Sequence, residues 1–275
     1  MIKREYIVNF KNFLVWLLVL VFMFLIVYLI YPYIITDDTK KSMDELMTVF
    51  PPEVLKAFNM DMASIETAYG WFKTEGFVFI LLIVGLYSAI LGSNTLLKEE
   101  NDKTIEYLIS LPIKRNKIIT SKIIVSITYV IALVLILGLF NLISFLISGD
   151  FEIKQFLLLS VTPIFVGIPL FSMNLFISTF MQKTKKAIGI SLGMVFIFYL
   201  LSLISEMSSN VEFIKYFSLY TLADVRDVIA NETINPINIL ISVAISAIFI
   251  ICTYVRYNKK DLIWFESKER FLWRD

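Results

Sequence analysis

The sequence contains no histidine and only one cysteine, Cys252. Without histidine the commonest metal ligand and general base is missing, so zinc chemistry and histidine-dependent hydrolysis within a membrane lose their central residue. A lone cysteine closes no disulfide within the chain, and its place in an apolar run marks it as a small packed or lipid-facing side chain. Charge is missing where it would be most costly. Six apolar stretches, at residues 13–35, 77–97, 123–147, 156–181, 187–206 and 237–257, carry none in their interiors. There a Lys, Arg or Asp would cost roughly 2.5 to 3.5 kcal/mol on insertion scales. The spans also lack paired carboxylates or a nucleophile beside a base, which excludes an intramembrane enzyme and predicts no catalytic residues and no metal site.

What is abundant is apolar surface. Hydrophobic residues make up 58% of the 275, with 24 Phe, and the mean hydropathy is +0.77, beyond what a soluble domain of this size carries. At about 1.5 Å rise per residue, each stretch is long enough as a helix to cross a hydrocarbon layer of about 30 Å. The expected fold class is all-α: a polytopic membrane protein with six transmembrane helices in one domain covering residues 1–275. The first run is too long for a cleavable leader and is expected to remain as an anchor.

Eighteen of the 25 Lys and Arg fall on one side of this topology: in the N-terminal tail, between spans two and three, between spans four and five, and from Arg256 onward. The other side holds seven of them and 15 of the 24 acids. Positive residues stay inside, so both termini and the 98–122 loop are expected in the cytoplasm of a cell-membrane protein, and the basic segments answer to topology and anionic lipid rather than to nucleic acid.

Three segments lie outside the spans. Residues 1–12 place Ile2, Tyr6 and Phe10 at helical spacing with Lys3, Arg4 and Lys11 off that stripe, which predicts an amphipathic helix in the inner interface. The long outer loop, 36–75, carries Met43, Met47, Met60 and Met62 beside amphipathic pieces split by Pro51 and Pro52. In the inner loop, 98–122, Asn101 or Asp102 caps a helix in which Ile105, Leu108, Ile109 and Pro112 form one apolar stripe flanked by Glu106 and Ser110. Pro112 ends it, and a new helix beginning near 114–116 leads into span three. Such a short element suits either a groove on a cytoplasmic partner or the membrane interface itself.

The run Glu99, Glu100, Thr104 to Arg115 (TIEYLISLPIKR), followed by Lys122, resembles the E-x-x-x-G-T-L-E-x-L-L-S-x-P-V-x-R-x-x-I-x-x-x-K signature of type-2 ATP-binding-cassette exporter permeases. Lys3, Glu5, Lys11 and Trp16 resemble that family's start, and Pro51, Leu55 and Phe58 its first outer loop. Lys103 replaces the usual Gly, and Leu219 a Pro common in the Phe217 to Tyr220 turn. The resemblance implies a permease subunit that pairs with a second copy, a homodimer, and rests on two cytoplasmic ATPase subunits that bind the ATP and magnesium. It implies ATPase-coupling positions at Glu99, Glu106, Leu108, Ser110, Leu111, Pro112 and Arg115, with Glu99 and Arg115 as ionic contacts. It also implies outer re-entrant helices at 207–234. The chain has no G-x-x-x-x-G-K-[ST] phosphate loop of its own, so it is not expected to bind cofactors or hydrolyse ATP.

Polar groups inside the spans are mild. Asn141, Ser172 and Asn174 are the expected pathway-facing residues, although intramembrane amides and hydroxyls usually bond within the bundle. Pro163, Gly167 and Pro169 should bend span four. A pathway lined by Phe, Leu, Ile and Met suggests amphipathic cargo, with export of a hydrophobic peptide favoured, as in toxin-peptide and bacteriocin-immunity members. The rival classes are a secondary transporter or channel, for which no buried ionisable group is evident, and a non-transporting scaffold. The topology is directly testable: tags at Asp61 and Asn231 should be labelled from outside intact cells, whereas a tag after Asp275 should not, and the opposite pattern overturns it.

Overall fold

In hydrocarbon every backbone N–H and C=O must find its partner within the chain, which leaves helices as the economical way for these apolar runs to cross. The computed structural model describes residues 1–34, 67–102, 112–148, 151–207 and 209–260, with 36, 38, 41, 42, 45, 48–51, 55, 104 and 105. Six described helices are long and apolar enough to span a membrane, and no described residue is in a strand. The all-α class and the six spans expected from the sequence are therefore present.

Span one is a single 33-residue helix, Ile2–Ile34. The segment expected as an interfacial helix at 1–12 is helical, but it runs into the span without interruption, giving a rod of about 50 Å. Phe13, Leu20 and Phe24 recur on one face and are buried, against span three in particular. Span two begins at Ala68, passes through a π-helical turn at Phe72–Gly76 and continues as Phe77–Asn101. Span three is Arg115–Ser148, and spans five and six are Thr184–Met207 and Pro236–Lys259. Spans two and three thus reach beyond the apolar runs, because a helix continues into polar ends that hydropathy trims away.

Span four breaks into Ile153–Val161 and Pro163–Ser178. Each proline removes a backbone donor four residues downstream of a carbonyl. The carbonyl of Leu159 is met instead by the Thr162 hydroxyl at 2.9 Å. That of Phe165, orphaned by Pro169, accepts from Ser242 of span six at 2.8 Å. The expected bend is therefore a fastened joint.

Spans two and four form the axis of the bundle, packing more extensively on each other than on any other element. Glycine makes this possible: a Cβ on Gly92 would run into the backbone carbonyl of Phe171, and one on Gly167 would lie 3.0 Å from both Ser88 Oγ and Val130 Cγ1. At the end away from the 102–114 loop, Phe145 is the hub of an aromatic cluster, with ring centroids 5.1 to 5.8 Å from Phe72, Tyr28, Tyr69 and Phe156. It joins spans one to four at that end.

The segment between spans five and six, expected as re-entrant helices, consists of 3-10 turns at Ser209–Phe217 and Tyr220–Ala223 and a short helix, Val225–Asn231. Tyr220, Leu222, Ala223 and Val228 are buried, while Phe213 and Phe217 are exposed. Where the resembling family often has proline, Leu219, the turn is held by Ser218, whose hydroxyl donates to Phe198 O at 2.6 Å and accepts from Tyr220 N at 3.1 Å. The glycine contacts generate a prediction: Gly92→Ala should lower stability by about 1 to 3 kcal/mol by forcing spans two and four apart. Gly189→Ala, also inside a helix but where a Cβ meets nothing within 4 Å, should instead raise it by up to about 1 kcal/mol; thermal unfolding of the detergent-purified monomer measures both.

Candidate functional site

The loop carrying the expected coupling positions leaves span two at Asn101 and returns at Arg115. Lys103 and residues 106–111, hence Glu106, Leu108, Ser110 and Leu111, lie outside the described residues. Of the apolar stripe, Ile105 is buried in the main core, and Pro112 is exposed. What the structure shows in detail is how the two ends of the loop are held.

On a helix, successive residues point about 100° apart, so Glu99, Glu100 and Asn101 leave the end of span two in three directions. Each reaches a different neighbour. Glu99 Oε1 accepts from Lys122 Nζ of span three at 2.5 Å, and the same ammonium lies 3.3 Å from Glu5 of span one. Glu100 takes both its bonds from Lys260, just past span six, at 2.8 and 3.0 Å. Asn101 donates to the Thr184 hydroxyl at the start of span five. The start of span three, where the loop returns, is fastened likewise. Arg115 donates to the carbonyls of Lys260 at 3.0 Å and Asn258 at 3.4 Å, Asn116 accepts from Asn258 at 2.7 Å, and Thr120 bonds the Tyr254 hydroxyl at 2.6 Å.

The Glu5, Lys122 and Glu99 group is buried, with no member more than 6% exposed. Two carboxylates share one ammonium, and Glu99 Oε2 is buried with no hydrogen-bond partner. This corrects the reading that no ionisable group is buried in the bundle. The sequence boundaries for spans two and three stop short of Glu99 and Lys122, because an apolar window ends at the first charge and cannot register that charges on three helices neutralise one another. Glu5 and Lys122 are thus site residues without a coupling role in the sequence reading; the available signal was their place in the motifs that resemble the exporter family. Glu99 makes its ionic contact within the chain, whereas Arg115 donates to backbone carbonyls. A second buried carboxylate atom, Glu75 Oε1, sits without a partner in the π-helical turn of span two.

The expected pathway residues do not converge. Asn141 Oδ1 accepts from the Tyr28 hydroxyl at 2.9 Å, and its Nδ2 is unpaired beside a cavity of about 10 Å³ that Ser160 also lines. That is room for one water-sized group, not for cargo. Ser172 and Asn174 are fully buried and donate to carbonyls of their own helix, Ile168 at 2.6 Å and Leu170 at 2.8 Å. Among the described residues no group of three or more His, Cys, Asp or Glu is placed to hold a metal ion.

A family model described as "ABC-2 family transporter protein" matches residues 1–262. No curated protein matches the chain.

Removing one partner from a buried ion pair strands the other's charge, at about 3 to 5 kcal/mol. Lys122→Met should therefore lower the unfolding temperature in detergent far more than loss of any exposed lysine, and the triple change Glu5→Gln, Glu99→Gln, Lys122→Met should recover most of the loss. A single variant as stable as the parent would show that these ion pairs do not stabilise the fold.

Proposed function

The chain belongs to the ABC-2 family of transporter proteins, and from that premise we propose that it is the membrane-spanning permease subunit of an ATP-binding-cassette exporter. It works as a homodimer above two cytoplasmic ATPase subunits, which bind ATP and magnesium, and it exports a hydrophobic or amphipathic cargo, favoured to be a peptide. It lies in the cell membrane with both termini and the 98–122 loop on the ATPase side. The observation that carries this reading is the family match over 1–262, together with six apolar helices.

In this reading Glu106, Leu108, Ser110, Leu111 and Pro112 meet the ATPase, and force entering there is passed on by the fastened loop ends. A displacement at residues 99–101 is felt by spans one and three through Glu99, by span six through Glu100 and by span five through Asn101. The cluster at Lys122 fixes the pivot, and Arg115 holds the returning end against span six. In support of a second copy, span five leaves Gly189 and Gly193 one turn apart with nothing over them, a spacing that lets helices approach closely in lipid.

A photo-reactive residue at position 111, activated in native membranes, tests this. The expected capture is an ATP-binding-cassette ATPase, reduced at least tenfold by Leu108→Asp, while the purified permease alone hydrolyses no ATP. Capture of lipid alone, or yield unchanged by Leu108→Asp, would assign the loop to the membrane interface and overturn the coupling role.

A further inference from the structure

Between the loop-side ends of spans four and six lies an open groove of about 410 Å³, walled by Phe176, Phe180, Cys252 and Val255 and rimmed by Arg256 and Lys259. Phe180 and Val255 are each 54% exposed, so the apolar wall is left uncovered by the chain's described residues. The Arg256 guanidinium lies 4.9 Å above the Phe180 ring, which holds it at the mouth of the groove. Arg256 and Lys259 are three residues apart on span six, hence on one face.

Among the described residues neither cation is met by an acid, whereas Lys122 is held by Glu5 and Glu99 and Lys260 by Glu100. The segment directly after Phe180 adds Lys183, Lys185 and Lys186 in sequence. An occupant must therefore bring an apolar body to the wall and negative charge to the rim. A free anion leaves the wall bare, and a zwitterionic lipid brings no net charge to two cations that meet no acid among the described residues.

We propose that this groove binds one anionic phospholipid of the loop-side leaflet, its acyl chain along Phe176, Cys252 and Val255 and its phosphate between Arg256 and Lys259. Basic pockets between spanning helices are suited to such headgroups, and each cation near an anionic headgroup gives about a five-fold preference, roughly thirty-fold for two. The site requires only that these helices span a membrane, not that the chain transports anything.

The test is native mass spectrometry of the full-length chain in detergent, titrated with phosphatidylglycerol and with phosphatidylcholine of the same acyl chains. One phosphatidylglycerol per chain should bind roughly thirty-fold more tightly than phosphatidylcholine. Arg256→Gln with Lys259→Gln should equalise the two lipids, while Lys11→Gln with Lys117→Gln, exposed cations elsewhere, should keep the preference. Cys252→Phe with Val255→Phe should weaken both lipids together. Equal binding of the two lipids by the parent, a preference that survives the Arg256 and Lys259 change, or displacement by glycerol phosphate as effective as by whole lipid would each overturn the site. No ATPase takes part, so failure of the export reading and failure of the lipid site are separately visible.

Discussion

The arrangement depends on one ammonium group kept out of water. Lys122 sits 4% exposed between carboxylates of spans one and two. A charge there is tolerable only because opposite charges are in contact with it, since each ion taken from water alone would cost several kcal/mol even after relaxation. The attraction is strong in low dielectric and directional in its hydrogen bonds. Three helices, otherwise free to slide on apolar faces that lipid solvates equally well, are thereby fixed in register at one end.

The opposite end is held differently. Around Phe145 the contacts are edge-to-face rings, each pair adding about 0.5 to 1.5 kcal/mol beyond the area it covers, and rings in such clusters can tilt and slide without stranding a charge. Between the two ends, spans two and four are locked by the close approach at Gly92 and Gly167. Spans one, five and six are each only 17% buried over their most apolar window, against 67% for span two. The described spans are thus a stiff central pair, span three beside it, and three looser helices, all three of which are tied by polar contacts to the few residues where span two gives way to the loop.

The parts of this that were legible in the sequence are those that depend on composition over a window: six helices, their approximate limits, and the proline-rich bend of span four. The motif between Glu99 and Lys122 also identified the family. What was hidden depends on several helices at once. The sequence places Glu5, Glu99 and Lys122 at the ends of separate apolar runs, where each reads as a solvated boundary charge, and only the packing of three helices turns them into a buried cluster. The continuity of span one through residues 1–12 was masked because an amphipathic stripe fits an interfacial helix and a projecting span end equally. The turn at Phe72–Gly76 carries no sequence mark of its extra residue.

The polar side chains in the spans constrain where cargo can travel. Ser172, Asn174, Ser246, Thr253, Thr95 and Ser121 donate to the carbonyl four residues earlier in their own helix, the usual retreat of a hydroxyl or amide in hydrocarbon. Donors spent in this way cannot greet a passenger. Among the described residues, the unpaired polar atoms of Asn141, Ser160, Asn174 and Ser88, like those of Glu75, Glu99 and Tyr220, are buried, and the cavity beside Asn141 and Ser160 is not of cargo size. A path through the interior of one chain would require prising apart the glycine contacts of spans two and four. Among the described residues, exposed apolar faces lie on span three, at Leu139, Ile143 and Leu146, and on the looser helices, such as Phe196, Ile197 and Leu200 of span five. A surface of that kind suits a passenger whose own backbone bonds are already satisfied, and in the proposed homodimer such faces of two copies would meet.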